Sequence, residues 1–344
     1  MTEPIASQIN DLDQRPTPRR WGKPIAVVVA LGAIIGASPW IPTTYVTLEP
    51  GPAPDTKTLT KIEARTFDSQ GSFHITTALV SPRGVSLQAA MRAMLLPDAD
   101  LIPRDLVYPP DKTRKQADQL HAEQMSESQH SAASAALAEL GIRLQPDGLL
   151  VRSVVKDGPA NKEVDPGDVL IRADGKVLSK KEDLTGLITK KRPGDAVALS
   201  IRRDGTVRDV TVGTKSSGGE SPRTVIGVTV SNNDKFPFEV SIEAGDIGGP
   251  SAGLMFALSI YDLLEPSDLT GGKTIAGTGT ITPDGKVGRV GAVAQKIRGA
   301  EKVNARVFIV PRDELDEAKA VKTKMRIIPA ATLAEAVAAL KVLR

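Results

Sequence analysis

The chain has 344 residues, enough for two or three domains, with 44 basic against 41 acidic residues and a formal net charge of +3. This near balance, without a basic stripe interleaved with aromatic residues, argues against nucleic acid as a partner. The absence of cysteine excludes thiol catalysis and a disulfide framework. No H-E-x-x-H motif is present, and we predict neither a metal site nor a cofactor.

The N-terminus predicts a membrane anchor. Residues 1–23 are polar and proline-containing, which indicates a disordered tail. The next residues are uncharged and apolar, and we predict a transmembrane helix over residues 24–44. A cleaved signal peptide is the alternative, although Pro39 after Gly36-Ala-Ser38 disfavours cleavage. Basic residues before the span predict a single-pass protein of the cell membrane, with its N-terminus cytoplasmic and its bulk outside the cytoplasm.

Residues 45–117 are predicted to be a β-containing connecting region. Residues 73–80 are rich in strand-forming side chains, and residues 86–95 form a short amphipathic pattern. The region is too small for an independent core, so we expect it to pack on one of the later domains.

A helical pattern over residues 115–140 precedes short strands separated by glycine turns. The order of these elements, with Gly158-Pro-Ala160 and Pro166-Gly-Asp-Val-Leu170, resembles a PDZ domain, which we place at residues 118–214. The resemblance implies that a peptide adds as a strand beside an exposed edge, with Leu140, Gly141 and Ile142 forming the loop for its carboxylate. A Ser/Gly-rich linker at residues 215–223 predicts a hinge.

The segment Ile247-Gly-Gly-Pro-Ser-Ala-Gly-Leu254 surrounds Ser251 with glycines and a proline. The apolar run that follows, residues 254–264, predicts a buried helix with Ser251 at its N-terminus. Ser251 is then a candidate nucleophile, because free backbone N–H groups, helped by the glycines before it, can stabilise an oxyanion there. The alternative is a glycine-rich turn with an N-capping serine.

A serine nucleophile needs a base, and lysine is the residue that remains. The three histidines, His74, His121 and His130, all precede Ser251, and we interpret them as structural or solvated. Lys296 lies on one helical face with apolar neighbours three and four residues away, where burial would lower its pKa. The alternative is that its ammonium group snorkels to water.

These residues resemble the proteolytic domain of Lon proteases, over about residues 224–344. Gly249 to Gly253 resemble its nucleophile motif, and Val290 to Lys296 resemble the segment of its catalytic lysine. The resemblance implies that Ser251 is the nucleophile and Lys296 the general base. It also implies that Thr278 supports this dyad, and we group Thr278 with Gly248 and Gly249 as oxyanion or supporting residues.

The chain departs from Lon at three points. Gly248 replaces an acidic residue, and the preceding strand, residues 238–242, lacks histidines. The larger departure is the absence of the ATPase module. Gly271-Gly-Lys-Thr274 resembles the end of a P-loop, but Ser267 stands where the leading glycine should be. The chain should therefore cleave substrates without ATP.

The sequence thus predicts an α+β protein with an N-terminal transmembrane helix, a PDZ-like β-rich domain and a C-terminal Lon-type proteolytic domain. We expect a membrane-anchored, ATP-independent serine endopeptidase that cleaves unfolded or extended polypeptides outside the cytoplasm. The PDZ domain would select or position substrate, or it would brace the protease domain. A non-enzymatic PDZ scaffold and a hydrolase of small esters are the alternatives. Expected partners are polypeptides and the membrane, and a homo-oligomer is left open.

Overall fold

The computed structural model describes residues 32, 35–81, 84–95, 99–108, 114–218, 221–245 and 247–343. The predicted tail at residues 1–23 and about half of the predicted anchor at residues 24–44 lie outside these ranges. Within the ranges, no helix combines the length and the apolar composition needed to cross a bilayer.

The connecting region contributes strands to three sheets. Strand β1 (Tyr45–Pro50) is the centre of a small antiparallel sheet with β4 (Ala78–Val80) and β5 (Asp100–Pro103). Strand β2 (Thr60–Ile62) pairs with β14 (Val240–Ile242), and β3 (Ser72–Ile75) pairs in parallel with β15 (Thr274–Gly277). The expectation that this region packs on a later domain is therefore confirmed. Its helices are α1 (Thr56–Leu59), α2 (Leu87–Leu95) and α3 (Arg104–Val107), after a 3-10 turn at Ser38–Trp40.

Helix α4 (Arg114–Glu139) packs against α6 (Gly253–Leu264). Four of its alanines and Met125 belong to the apolar core that surrounds α6. The predicted boundary at residue 118 assigns this helix to the PDZ-like domain, whereas its packing places it with the C-terminal domain. The small side chains of α4 let it approach α6 closely. The residue pattern of α4 alone does not indicate which helix it packs against.

The β-rich domain is built on a sheet with the strand order β10-β9-β7-β6-β13, in which β13 (Val228–Lys235) is an outer strand. Strand β13 pairs antiparallel with β6 (Gln145–Val154), although it follows the predicted linker. The linker itself is partly a hairpin of β11 (Lys215–Ser216) and β12 (Thr224–Val225). The sequence predicts a simple hinge here, whereas in the structure the chain returns to the sheet of the β-rich domain. The other elements are β7 (Val169–Ala173), β8 (Lys176–Val177), α5 (Lys181–Ile188), β9 (Ala196–Arg203) and β10 (Thr206–Gly213).

The C-terminal domain has a four-stranded parallel sheet in the order β19-β18-β15-β3. Alternate residues of its strands enter two apolar clusters on opposite faces: Val307 and Ile309 face α6, whereas Phe308 and Val310 face α7 (Val293–Lys302). Helices thus cover both faces, as parallel sheets require, and the chain is a mixed α/β protein. The remaining elements are β16 (Thr280–Ile281), β17 (Val287–Gly288), β18 (Val307–Pro311), α8 (Leu315–Ala320), β19 (Arg326–Ala330) and α9 (Leu333–Lys341).

Candidate active site

Ser251 lies in the turn that leads into α6. The helix begins at Gly253, and its residues from Gly253 to Leu263 are buried, which agrees with the predicted helix over residues 254–264. Ser251 is half-buried, and its hydroxyl has no hydrogen-bond partner among the described residues. The backbone N–H groups of Ser251 and Ala252 also lack partners within the described part of the chain. An oxyanion formed beside Ser251 would find two free donors there.

Helix α4 holds this turn in place, which the sequence interpretation missed. The His121 carbonyl accepts a hydrogen bond from Gly249 N at 3.1 Å, and Ser128 Oγ donates to the Pro250 carbonyl at 3.0 Å. A Cβ atom at Gly253 would lie 2.7 Å from Ser128 Oγ, so only glycine fits against the helix. Because the Gly249 amide is used in this contact, it is not a free oxyanion donor in this conformation. Gly248 lies under His121, where an added Cβ would be 3.1 Å from His121 Cβ.

Lys296 is buried within α7, with 4% of its surface exposed. Its neighbours on the same helical face, Val293, Ile297 and Ala300, are buried with it, so the snorkelling alternative does not hold. Burial lowers the pKa of Lys296 to about 8, against the opposing effect of the carboxylates of Glu314 and Glu317. About a tenth of this amine is therefore neutral at pH 7, and about half at pH 8, and this form can accept a proton.

Thr278 connects the two candidate residues. It is fully buried in the break between β15 and β16. Its hydroxyl accepts a hydrogen bond from Lys296 Nζ at 3.1 Å and donates one to the Ser251 carbonyl at 3.0 Å. The next amide, Gly279 N, donates to the same Ser251 carbonyl at 2.9 Å. The structure thus brings Ser251, Thr278 and Lys296 together, although 45 residues separate the serine from the lysine in the sequence.

Glu314 is a second residue that the sequence interpretation missed. It lies in the 3-10 turn after β18 and is almost completely buried. Its two carboxylate oxygens accept hydrogen bonds from Val290 N at 3.1 and 3.0 Å, which fixes the segment that leads into α7. Burial raises the pKa of the Glu314 carboxyl. No periodic or motif signal marks a lone glutamate of this kind in the sequence.

The predicted carboxylate loop, Leu140 to Ile142, has a different role in the structure. Gly141 N donates to the Ala138 carbonyl and Ile142 N to the Leu137 carbonyl, both at 2.9 Å. These amides satisfy the last carbonyls of α4, and Leu140 packs against the core of the proteolytic domain. The segment is a helix C-cap, which corrects the prediction, because its amides are not available to a peptide carboxylate.

The structure leaves the outer edge of β13 open instead. Among the described residues this edge has no paired strand, and α5 runs beside it. At the start of α5, Lys181 N donates to Asn232 Oδ1 on β13. Just after the end of α5, the Lys191 carbonyl accepts a hydrogen bond from Thr224 Oγ1 on β12. An unpaired edge next to a helix is a geometry that accepts an extended peptide.

The histidine side chains are structural or peripheral. His74 contacts the Ala53 carbonyl through Nδ1 and Ser72 Oγ through Nε2. The His130 ring packs 5.1 Å from the Phe236 ring and lies 3.5 Å from Asp234. Among the residues that the structure describes, none of the three histidine rings hydrogen-bonds to the turn that carries Ser251.

Comparison with known proteins supports the same two units. Residues 222–342 match the family model of the Lon protease (S16) C-terminal proteolytic domain, and residues 138–214 match that of the PDZ domain. The matches support a serine endopeptidase. The predicted combination of a PDZ domain with a Lon-type proteolytic domain is thereby confirmed.

Individual relatives match only parts of the chain. It is 34% identical over 101 residues to a probable periplasmic serine endoprotease DegP-like of Ectopseudomonas mendocina, covering 25% of this chain and 21% of that protein. It is 40% identical over 85 residues to a mitochondrial Lon protease homolog of Scheffersomyces stipitis, covering 24% of this chain and 8% of that protein. A solved PDZ domain of an SdrC-like protein from Listeria monocytogenes is 23% identical with a TM-score of 0.25, and the match covers 26% of this chain and 92% of that one.

Proposed function

We propose that this protein is a membrane-anchored serine endopeptidase that cleaves unfolded or extended polypeptides outside the cytoplasm without ATP. One observation carries the catalytic part. Buried Lys296 donates to Thr278, whose hydroxyl donates to the carbonyl of Ser251. A lysine at this place with a pKa near 8 is a suitable base for a serine hydroxyl.

The proposed reaction begins when neutral Lys296 accepts the proton of Ser251 Oγ as this oxygen attacks the scissile carbonyl carbon. The carbonyl oxygen becomes an oxyanion and receives hydrogen bonds from the free N–H groups of Ser251 and Ala252. The protonated lysine then gives its proton to the leaving amine, and the peptide bond breaks. Water attacks the acyl-serine, again with Lys296 as base, and restores the hydroxyl. Thr278 holds the ammonium group in place between these steps.

The segment Gly271 to Thr274 supports an ATP-independent reaction. A phosphate-binding P-loop leads into a helix, whose N-terminus binds the phosphates. Here the segment leads into strand β15, and Lys273 Nζ donates to the Leu343 carbonyl at 2.8 Å. We expect ATP and magnesium to leave the rate of cleavage of an unfolded substrate unchanged. A several-fold stimulation would contradict this part of the proposal.

The PDZ domain is proposed to position substrate through the outer edge of β13. A groove beside this edge is lined by α4, by the start of α5 and by the turn at residues 282–286. That turn directly follows β16, which begins two residues after Thr278. A polypeptide added to β13 would thus be held close to the proteolytic domain, which raises its local concentration near Ser251.

The membrane anchor and the extracytoplasmic location rest on the uncharged apolar run and the basic residues before it. They are tested by expressing the full chain in cells and adding protease from outside. The proposal predicts degradation of the domains after residue 45 in intact spheroplasts. Protection of these domains until the cells are lysed would contradict it.

The catalytic proposal is tested with the full chain in detergent and an unfolded protein as substrate. The wild type should produce peptide fragments, and Ser251→Ala should not. Ser259→Ala is the matched control, because it removes a serine hydroxyl from α6, the helix that follows the turn, at a distance from Ser251. Equal cleavage by the wild type and Ser251→Ala would contradict a Ser251 nucleophile.

A further inference from the structure

Helix α2 has an inverted pattern of burial. Its small residues Ala90 and Ala93 are buried, whereas Met94 and Leu95 are 78% and 86% exposed. Met91, one turn before Leu95, is exposed on the same side. A helix on the surface of a globular domain normally directs its large apolar side chains inward. Three of the four large apolar residues of α2, Met91, Met94 and Leu95, therefore face outward, toward something other than the core.

Other exposed apolar residues lie on the 3-10 turn that contacts α2 and on α3, which contacts the same strand, β5, as α2 does. Trp40 is 80% exposed in the 3-10 turn that packs against this helix, and Ile41 follows it. Leu87 N, at the start of α2, donates to the Ile41 carbonyl at 2.8 Å. Leu106, 76% exposed, lies on α3, whose first amide, Arg104 N, donates to the Thr44 carbonyl. We call this set the membrane-proximal patch: Trp40, Ile41, Met91, Met94, Leu95 and Leu106.

The position of the patch along the chain indicates what covers it. Trp40 and Ile41 end the uncharged apolar run, residues 25–41, on which the proposed anchor rests. A bilayer that holds this run therefore reaches the patch without any intervening chain. Tryptophan is enriched at the membrane–water interface, and apolar helix faces bury into the same layer. Helix α2 has no acidic residue, and its single charge is Arg92, which is compatible with lipid headgroups.

We propose that the membrane-proximal patch lies in the headgroup layer of the bilayer that holds the anchor, with α2 parallel to its surface. This inference rests on the proposed anchor and adds a second membrane contact made by the folded domain. The same unit is attached to the helix of Lys296: Lys302 Nζ donates to the Pro50 carbonyl at 3.1 Å, and the Gln295 amide hydrogen-bonds to the Asp100 carboxylate. Docking of the patch would hold the proteolytic domain at the membrane surface instead of letting it swing on a tether.

The absence of cysteine in the natural sequence allows a single-site probe. Leu95→Cys in the full chain is labelled with a polarity-sensitive nitrobenzoxadiazole fluorophore and reconstituted into liposomes that contain anionic lipid. Val177→Cys is the matched control, because this residue is 61% exposed on the PDZ domain. Quenching is measured with lipids that carry nitroxide groups on their acyl chains, and flotation of the liposomes reports the anchor independently.

The inference predicts that both labelled proteins float with the liposomes and that quenching at residue 95 is at least about two-fold stronger than at residue 177. If both float and residue 95 is quenched no more than residue 177, the patch lies in water, and the inference fails although the anchor stands. If the probe at residue 95 enters a low-polarity environment without lipid quenching, and only at high protein density, a second copy covers the patch and the inference is overturned. If neither protein floats, the anchor itself fails, and the inference fails with it.

Discussion

Lys296 and Thr278 form a hydrogen bond of 3.1 Å in the interior of the proteolytic domain. This hydrogen bond replaces one that the ammonium group of Lys296 would make to water if it were exposed. One hydrogen bond compensates only part of the cost of burying a charge, and the pKa of Lys296 consequently falls to about 8. The same burial that makes this lysine a usable base also makes it costly for stability.

The first prediction is that Lys296→Met stabilises the protein at pH 7. The pKa of Lys296 is lower in the folded chain, about 8, than its ordinary value of 10.5, so protonation favours the unfolded state. This cost is fully present below pH 8, decreases as the pH rises, and is absent above 10.5. It amounts to about 3 kcal/mol at pH 7. The lost hydrogen bond to Thr278 offsets about 1 kcal/mol of the gain.

The free energy of unfolding at pH 7 and at pH 10.5 checks this prediction. The gain of Lys296→Met over the wild type should be largest at pH 7 and should vanish or reverse at the higher pH. Lys319→Met is the control, because this lysine is exposed on α8 and should change stability little at either pH. A loss of stability at pH 7 would show that burial of the ammonium group does not destabilise the folded state.

The second prediction concerns the pH dependence of the rate. Turnover should rise with pH and level off above about 8, because only the neutral form of Lys296 accepts the proton of Ser251. The Glu314 carboxylate raises the pKa of Lys296, so Glu314→Gln should move the midpoint of the profile to lower pH. Asp316→Asn removes an exposed carboxylate from α8 and should leave the midpoint unchanged. Equal shifts in both variants would contradict a specific effect of Glu314.

The third prediction concerns Thr278. Thr278→Val keeps the shape of the side chain but removes the hydroxyl that contacts both Lys296 and the Ser251 carbonyl. We expect kcat to fall by about 10- to 100-fold, since misplacement of a catalytic group by about 1 Å has an effect of this size. KM should change little. Thr278→Ser retains the hydroxyl and should recover most of the rate, whereas an equal loss in both variants would indicate that packing of the methyl group matters instead.

The fourth prediction separates the two roles of the PDZ domain. Gln145 of β6 and Lys235 of β13 lie opposite each other in the sheet. Residues 145–235 can therefore be excised, with Leu144 joined to Phe236 by two glycines. This excision keeps α4, whose packing on α6 the proteolytic domain needs. If the domain positions substrate, cleavage of a long unfolded protein should weaken while hydrolysis of a short peptide persists. Loss of both activities would show that the PDZ domain braces the protease.

The parts of the site that depend on local pattern could be predicted from the sequence. The apolar run after Ser251 and the spacing of Val293, Ile297 and Ala300 around Lys296 reflect the helical period, and both helices are present in the structure. The placement of Thr278 beside them followed from resemblance to a family, because no periodicity links a residue between two strands to two separate helices.

The pairings over long sequence distances could not be predicted. Strand β3 pairs with β15 about two hundred residues later, and β13 returns to β6 across a Ser/Gly-rich segment with the composition of a hinge. The Leu140 to Ile142 segment has the composition of a carboxylate loop and forms a helix C-cap. In each case the partner, and not the segment itself, decides the conformation.

Identifying the residue that becomes acylated tests the assignment of Ser251 directly. The full chain is mixed with an activated ester of a short peptide at pH 8, where about half of Lys296 is neutral and can assist acylation. Acid added within the first turnover stops deacylation, and the modified peptide is located by mass spectrometry after digestion. We expect one acyl group per chain on Ser251, absent in Ser251→Ala and formed much more slowly in Lys296→Ala. An acyl group on another residue, or equal labelling of Ser251→Ala, would contradict the assignment of Ser251 as the nucleophile.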